Sequence, residues 1–207
     1  MFNGIWQQFG RYLKEQFISS EAAALVEFAV SLPLLTVLVV GIFDFGGAVN
    51  TKQELNNAVR EGARLGAMQP TNDLCSGCTA PPSIQVIGKL VDSYLHAARI
   101  NDCGLGALGV SSNGPPWVLA PSTGCGGGTL TLTIYRDPTS GGGSPTCGPV
   151  AATNYGGVST VQLPCTKVSI SYPYQWHFNN VIQLIAPGAN YGLFIYINTD
   201  ATAVNTQ

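Results

Sequence analysis

The chain has 207 residues, a formal net charge of −2 and only 10% charged residues. A near-neutral chain so poor in Lys and Arg lacks the basic face that nucleic-acid binding requires, which excludes that class of partner. Its length leaves room for one modest domain beyond a membrane segment. The 25 Gly and 13 Pro fall mostly after residue 70 and predict a loop-rich β domain there.

Residues 1–20 place Phe2, Ile5, Trp6, Phe9, Leu13 and Phe17 at helical spacing, with Gln7, Gln8, Arg11, Lys14 and Glu15 elsewhere. The pattern reads as an amphipathic interfacial helix on the cytoplasmic side, or equally as a leader helix continuous with the next segment. Ser19-Ser20-Glu21 is a candidate N-cap between the two.

Residues 22–45 read AAALVEFAVSLPLLTVLVVGIFDF. At the helical rise the uncharged run 28–43 covers about 24 Å, and 22–43 about 33 Å. A hydrocarbon core is roughly 30 Å thick, so this is a predicted single span with Glu27 at or just inside one boundary and Asp44 at the other. An ionisable group at mid-membrane costs about 2.5–3.5 kcal/mol, less near the edge, so Glu27 asks for a partner or for headgroup water. Asp44 either pairs with a basic residue on a partner helix or reaches the outer headgroups. Pro33 removes one backbone hydrogen bond inside the span, and Ser31 or Thr36 stands close enough to help satisfy the freed groups. A removable secretory signal is the alternative, but its apolar core is usually only 7–15 residues and ends in a small-residue cleavage site. Here the apolar run is longer and continues into a helical pattern.

That pattern is TKQELNNAVREGARLGAM, residues 51–68, with Leu55, Ala58, Val59, Gly62 and Leu65 on one face. One helix over 21–68 is predicted, half in lipid and half in water, stopping near Pro70. Its apolar stripe has to pack on the chain's own head or on neighbouring chains. Arg60, Glu61 and Arg64 lie elsewhere on the helix, with Glu61 and Arg64 at i,i+3, and read as a solvated face or a subunit contact.

Residues 72–207 form the predicted head. Residues 83–100 put Ile84, Ile87, Leu90, Val91, Tyr94, Leu95 and Ala98 on one face of a second amphipathic helix. Three alternating stretches follow: 129–137, 166–176 and 191–204. Leu130, Leu132 and Ile134 alternate with threonines, Val168, Ile170 and Tyr172 repeat the alternation, and Leu193, Ile195 and Ile197 do so again. The predicted fold is α+β, one helix packed on an antiparallel sheet.

All six cysteines (Cys75, Cys78, Cys103, Cys125, Cys147 and Cys165) follow the span. An even number on one side of a membrane segment implies disulfides in an oxidising compartment. This places the head outside and the N-terminus in the cytoplasm, against a slight excess of Lys52, Arg60 and Arg64 over Arg11 and Lys14. Cys75-Ser-Gly-Cys78 alone matches half a zinc site or a redox pair. No second close pair exists, however, and neither His96 nor His177 has helpful spacing. Cys75–Cys78 or Cys75–Cys103, with Cys147–Cys165, is the expected pairing. No metal or cofactor is expected.

The chain contains no Gly-x-Ser-x-Gly elbow, P-loop or His-Glu-x-x-His motif, and only two histidines. Asp92 and His96, one helical turn apart, read as surface decoration. No enzymatic activity and no catalytic residue is expected.

Four blocks in order carry a resemblance. They are Ala-Leu-Val-Glu-Phe at 24–28, Leu-Pro-Leu-Leu at 32–35, Gly41-Ile42-Phe43-Asp44-Phe45-Gly46, and Ala58-Val59-Arg60-Glu61-Gly62-Ala63-Arg64. Over residues 21–67 the chain resembles TadE-like proteins, the pilin-like components of tight-adherence (Flp-type) pilus systems. The resemblance implies a single-pass inner-membrane protein that assists assembly of an adhesive pilus, with pilin and assembly subunits as partners. It implies that Glu27, Phe28, Pro33 and Asp44 meet those partners within the membrane. Some relatives are processed like prepilins with glutamate as the fifth mature residue. On this chain the cut falls between Ala22 and Ala23, with Ala22 where glycine is commoner. Two other readings are a tethered adhesin using Tyr172, Tyr174 and Trp176, and a filament-forming subunit.

Overall fold

The computed structural model describes residues 20–74, 81–107, 109–112, 114–120, 125, 127–136, 146–154, 157–176 and 194–205. Helix α1 is Ser20–Met68, helix α2 is Pro82–Ala97, and a 3-10 turn covers Leu105–Ala107. The strands are β1 (Trp117–Leu119), β2 (Thr131–Tyr135), β3 (Thr146–Asn154), β4 (Gly157–Gln175) and β5 (Phe194–Val204). The expected leader helix over 1–20 lies almost wholly outside the described residues. Residues 20–46 of α1 belong to one compact unit, and the rest of α1 belongs to a second unit with both the other helical elements and all five strands.

In the second unit β4 is the organising strand. Its C-terminal half pairs antiparallel with β2 on one edge (Leu132↔Ile170, Ile134↔Val168) and with β5 on the other (Val168↔Ala201, Tyr172↔Ile197). Its N-terminal half forms a hairpin with β3 (Val150↔Val161, Asn154↔Gly157), and β1 extends the sheet beyond β2. The predicted alternation sets the register: Leu130, Leu132, Ile134, Val168, Ile170 and Tyr172 are all buried. On β5 the inward face is Ile197 and Thr199, while Ile195 near the strand's start is exposed.

Against this sheet pack α2, through Ile84, Ile87, Val91 and Leu95, and the C-terminal turns of α1, through Leu55, Ala58, Val59 and Ala63. The stripe on α1 thus finds its cover within the chain's own head. Gly62 is buried as expected, but the axis is shifted from the one read from the sequence: Leu65 is only half-buried, and Gly66 and Ala67 lie on the buried side. Small residues are required there. A Cβ at Gly62 meets the Val91 side chain at 3.1 Å, and one at Gly66 meets Thr166 Cγ2 at 2.6 Å and Ile87 Cδ1 at 2.9 Å. A polar pin joins α1 to β5, where the Thr199 hydroxyl donates to the Asn56 side-chain carbonyl. Glu61 and Arg64 form an exposed pair at 3.9 Å, a solvated face that adds little.

Helix ends are satisfied from a distance. Pro81, at the N-cap of α2, offers no side-chain oxygen, so the Ser83 N–H donates instead to Asp73 Oδ2 at 2.7 Å. The carboxylate also complements the positive end of the α2 dipole. At the other end, Arg99 N–H bonds the His96 carbonyl and Ile100 N–H bonds the Leu95 carbonyl, a Schellman closure. Arg99 sits at φ 57°, in the position glycine usually fills. A left-handed non-glycine residue costs about 1–2 kcal/mol, against about 0.5–1 kcal/mol of extra chain entropy for glycine. Arg99→Gly is therefore expected to stabilise the head by about 0.5–1 kcal/mol, read as a higher thermal midpoint; a lower midpoint refutes the strain.

Cys103 bonds Cys125, tying the loop after α2 to the loop before β2. This corrects the Cys75–Cys103 alternative. The bonded cysteines are 22 positions apart in sequence, a closure that contributes about 2–4 kcal/mol. Cys165 is also disulfide-bonded. Cys75, Cys78 and the side chain of Cys147 lie outside the described residues, so the pairings expected for them stand as expectations.

Candidate functional site

Three places bring together the residues singled out by sequence. The first is the apolar half of α1. It is long and apolar enough to cross a membrane, the one such helix among the described residues, and no part of its 18-residue apolar window is buried. Leu25, Val26, Phe28, Val30, Leu34, Ile42 and Phe43 are all exposed, the arrangement expected of a helix whose solvent is lipid. Glu27 and Phe28 share this exposed segment, one turn or more from Pro33, which the helix accommodates in its interior. The Thr36 hydroxyl donates to the Leu32 carbonyl at 2.9 Å. It therefore serves its own polar group and not the Ala29 carbonyl that Pro33 leaves without its usual donor.

Asp44 behaves differently from Glu27. It is buried, 7% exposed, and engaged within the chain. Of the two acids flanking the apolar run, only Glu27 is presented outward. Ala22 and Ala23, the candidate processing pair, both lie within the helical stretch of α1.

The second place is the aromatic run at the end of β4. Tyr172 and Tyr174 are each 8% exposed, and Trp176 is partly buried against the core with its ring edge-on to Tyr174 at 5.5 Å. Tyr172 and Tyr174 thus belong to the core, and Trp176 packs against it. Burial, and secondarily the charge of Asp102, pushes the Tyr172 hydroxyl above its ordinary range.

The third place was only half legible. Asp92 and His96 lie on α2 with His96 Nε2 3.8 Å from Asp92 Oδ1. The Schellman closure turns the chain back so that Asp102 joins them, its Oδ2 3.9 Å from His96 Nε2. Asp102 is ten residues from Asp92 in sequence, and no spacing rule signals it. The loop carries it through an Asx-type bond from Cys103 N–H to the Asn101 side chain and a left-handed Cys103 at φ 55°. Burial is the main influence raising Asp92, opposed by His96 and reinforced by the charge of Asp102 and a hydrogen bond with it. At Asp102 burial also pushes upward, but the Gly106 and Gly104 amides, His96 and the bond to Asp92 outweigh it and hold the carboxyl low. The two carboxyls are thus pushed apart, Asp92 upward and Asp102 downward.

Fold and site together define a class: a chain with one exposed apolar helix of membrane-spanning length running into a disulfide-braced α+β head. Within that class, residues 22–64 match the model of the TadE-like protein family. This match supports a component related to pilus assembly in general. No curated protein and no solved structure matches the chain.

Proposed function

We propose that this protein is a single-pass, pilin-like component of a tight-adherence (Flp-type) pilus assembly system, with its N-terminus in the cytoplasm and its head on the outer side of the membrane. It acts by packing and not by catalysis. Its partners are pilin and assembly subunits that meet the exposed face of α1 around Glu27, Phe28 and Pro33. One observation carries this reading: the segment that matches the TadE-like family begins with an uncovered apolar helical run that bears an outward carboxylate, Glu27. An acid kept where lipid begins is costly unless a partner or headgroup receives it. A tethered adhesin loses its main support, because Tyr172 and Tyr174 are core residues.

Glu27→Gln removes the charge and keeps the shape. The variant is expected to insert in the membrane at the wild-type level, as read by fractionation, while surface pili counted by electron microscopy fall sharply. Normal piliation in this variant would remove the role assigned to Glu27. Deleting the gene separates the broader readings, since loss of pili supports an assembly role and loss of adhesion with pili intact supports a binding module. Peptide mapping of purified fibres decides whether the chain itself enters the filament.

A further inference from the structure

We propose that Asp92, His96 and Asp102 form a binding site for a divalent transition-metal cation of the Zn2+ type on the head. One donor atom from each of the three residues lies within 4.8 Å of the other two. The His96 Nε2 contacts at 3.8 and 3.9 Å are too long for hydrogen bonds, yet close to what a shared cation needs. Ligand atoms on a tetrahedral zinc at about 2.1 Å stand roughly 3.4 Å apart, so the two His96 contacts close with movements of about half an ångström each, and the pair of carboxylate oxygens, within 4.8 Å, with about 1 Å. His96 supplies such movement easily, because its side chain is largely exposed.

Two further features point to a cation. Asp92 Oδ1 is shielded from solvent, accepts no hydrogen bond, and is the oxygen nearest His96 Nε2. An acceptor oxygen sealed in this way is costly without a positive partner. The two carboxylates also bring one oxygen each to within 4.8 Å of the other, and like charges held that close favour a cation between them. Two carboxylates and a neutral imidazole balance a charge of +2 and leave room for water at a further position. The imidazole sets the class, because Ca2+ and Mg2+ take oxygen donors whereas Zn2+ accepts this mixed set. Binding of the ion to two carboxylates and a neutral imidazole involves no redox change.

The backbone holds the third ligand in place independently of any metal. Gly106 N–H donates to Asp102 Oδ2 at 3.3 Å, the Leu105 N–H donates to the Asp102 carbonyl at 2.9 Å, and Cys103–Cys125 anchors the adjoining turn. The site therefore does not depend on the pilus reading above.

The test uses the full-length protein in detergent, alkylated with iodoacetamide so that any free thiol is blocked, and titrated calorimetrically with Zn2+ alone and with Ca2+ alone. His96→Gln removes one ligand from an exposed position. Asp102→Asn keeps an acceptor for Gly106 and removes the charge. Wild type is expected to bind one Zn2+ per chain, each variant to bind at least tenfold more weakly, and Zn2+ to raise the thermal midpoint of wild type but not of His96→Gln. The proposal is overturned if wild type takes up no Zn2+, if binding survives both substitutions, or if Ca2+ binds as tightly as Zn2+. Near-UV circular dichroism of both variants checks that a lost signal reflects a lost ligand and not a lost fold.

Discussion

Arg136→Met is expected to destabilise the head by about 2–4 kcal/mol through lost hydrogen bonds to a buried charge. Arg136 follows β2 directly and is completely buried. Its guanidinium donates to the carbonyls of Gln69 and Pro70, the latter at 3.1 Å, just past the last turn of α1. That turn has no basic residue of its own. The arginine thus supplies both the missing donors and the positive charge that a helix C-terminus favours. Hydrogen bonds to a charged group are each worth about 1.5–3 kcal/mol, and burying the cation offsets part of the sum. Burial alone pushes the Arg136 guanidinium below its ordinary range, with Asp73 nearby pulling it back. Met conserves most of the volume, so the loss isolates the polar contribution. A two-state head of this size would show a thermal midpoint roughly 5–15 °C lower. An unchanged midpoint would mean that water replaces the guanidinium at no cost.

The second large effect is steric. Gly66→Val is expected to cost about 3 kcal/mol, and Gly66→Ala roughly 1–2 kcal/mol, by overpacking a closed seam. Even the Ala Cβ arrives 2.6 Å from Thr166 Cγ2. Thr166 cannot retreat, because it is fully buried and its hydroxyl donates to Asn205 Oδ1 at 2.8 Å. Ordinarily Gly→Ala inside a helix gains about 0.5–1 kcal/mol, so the sign of the change is itself diagnostic. Gly46→Ala in the same helix is the control, since nothing lies within 4 Å of a Cβ there. Chemical denaturation of the three variants in parallel measures the difference. Equal midpoints for Gly66→Ala and Gly46→Ala would show that the seam opens freely.

How far these features could be foreseen depends on the range of the forces behind them. The long helix was predicted over 21–68 and spans Ser20–Met68, because apolar periodicity and the terminal Pro70 are local signals. The inward faces of β2 and β4 followed from alternation for the same reason. Strand β3 and the first half of β4 were not foreseen: Cys147-Gly148-Pro149-Val150-Ala151-Ala152 contains small residues and a proline, with no alternation of large apolar side chains. The hairpin between them is a matter of pairing, which periodicity does not encode. Trp117–Leu119 was missed because three residues behind two prolines carry too short a pattern. Asp92 and His96 were visible as a helical pair, but Asp102 was not, since only the closure at Arg99 and Ile100 returns the chain to them.

The sequence by itself determined a rod of membrane-spanning length with an acid near its start, a family signature along it, and an α+β head behind it. Each of these depends on the chemistry of residues within a few turns of one another. Only the tertiary structure decided that the rod's watery half is covered by its own head, that Arg136 closes its end, and that Cys103 joins Cys125. It also decided which acids face outward and which meet across a loop. Those outcomes depend on groups tens of residues apart, and what brings them together is the burial of a shared core, a property of the whole chain and of no segment alone.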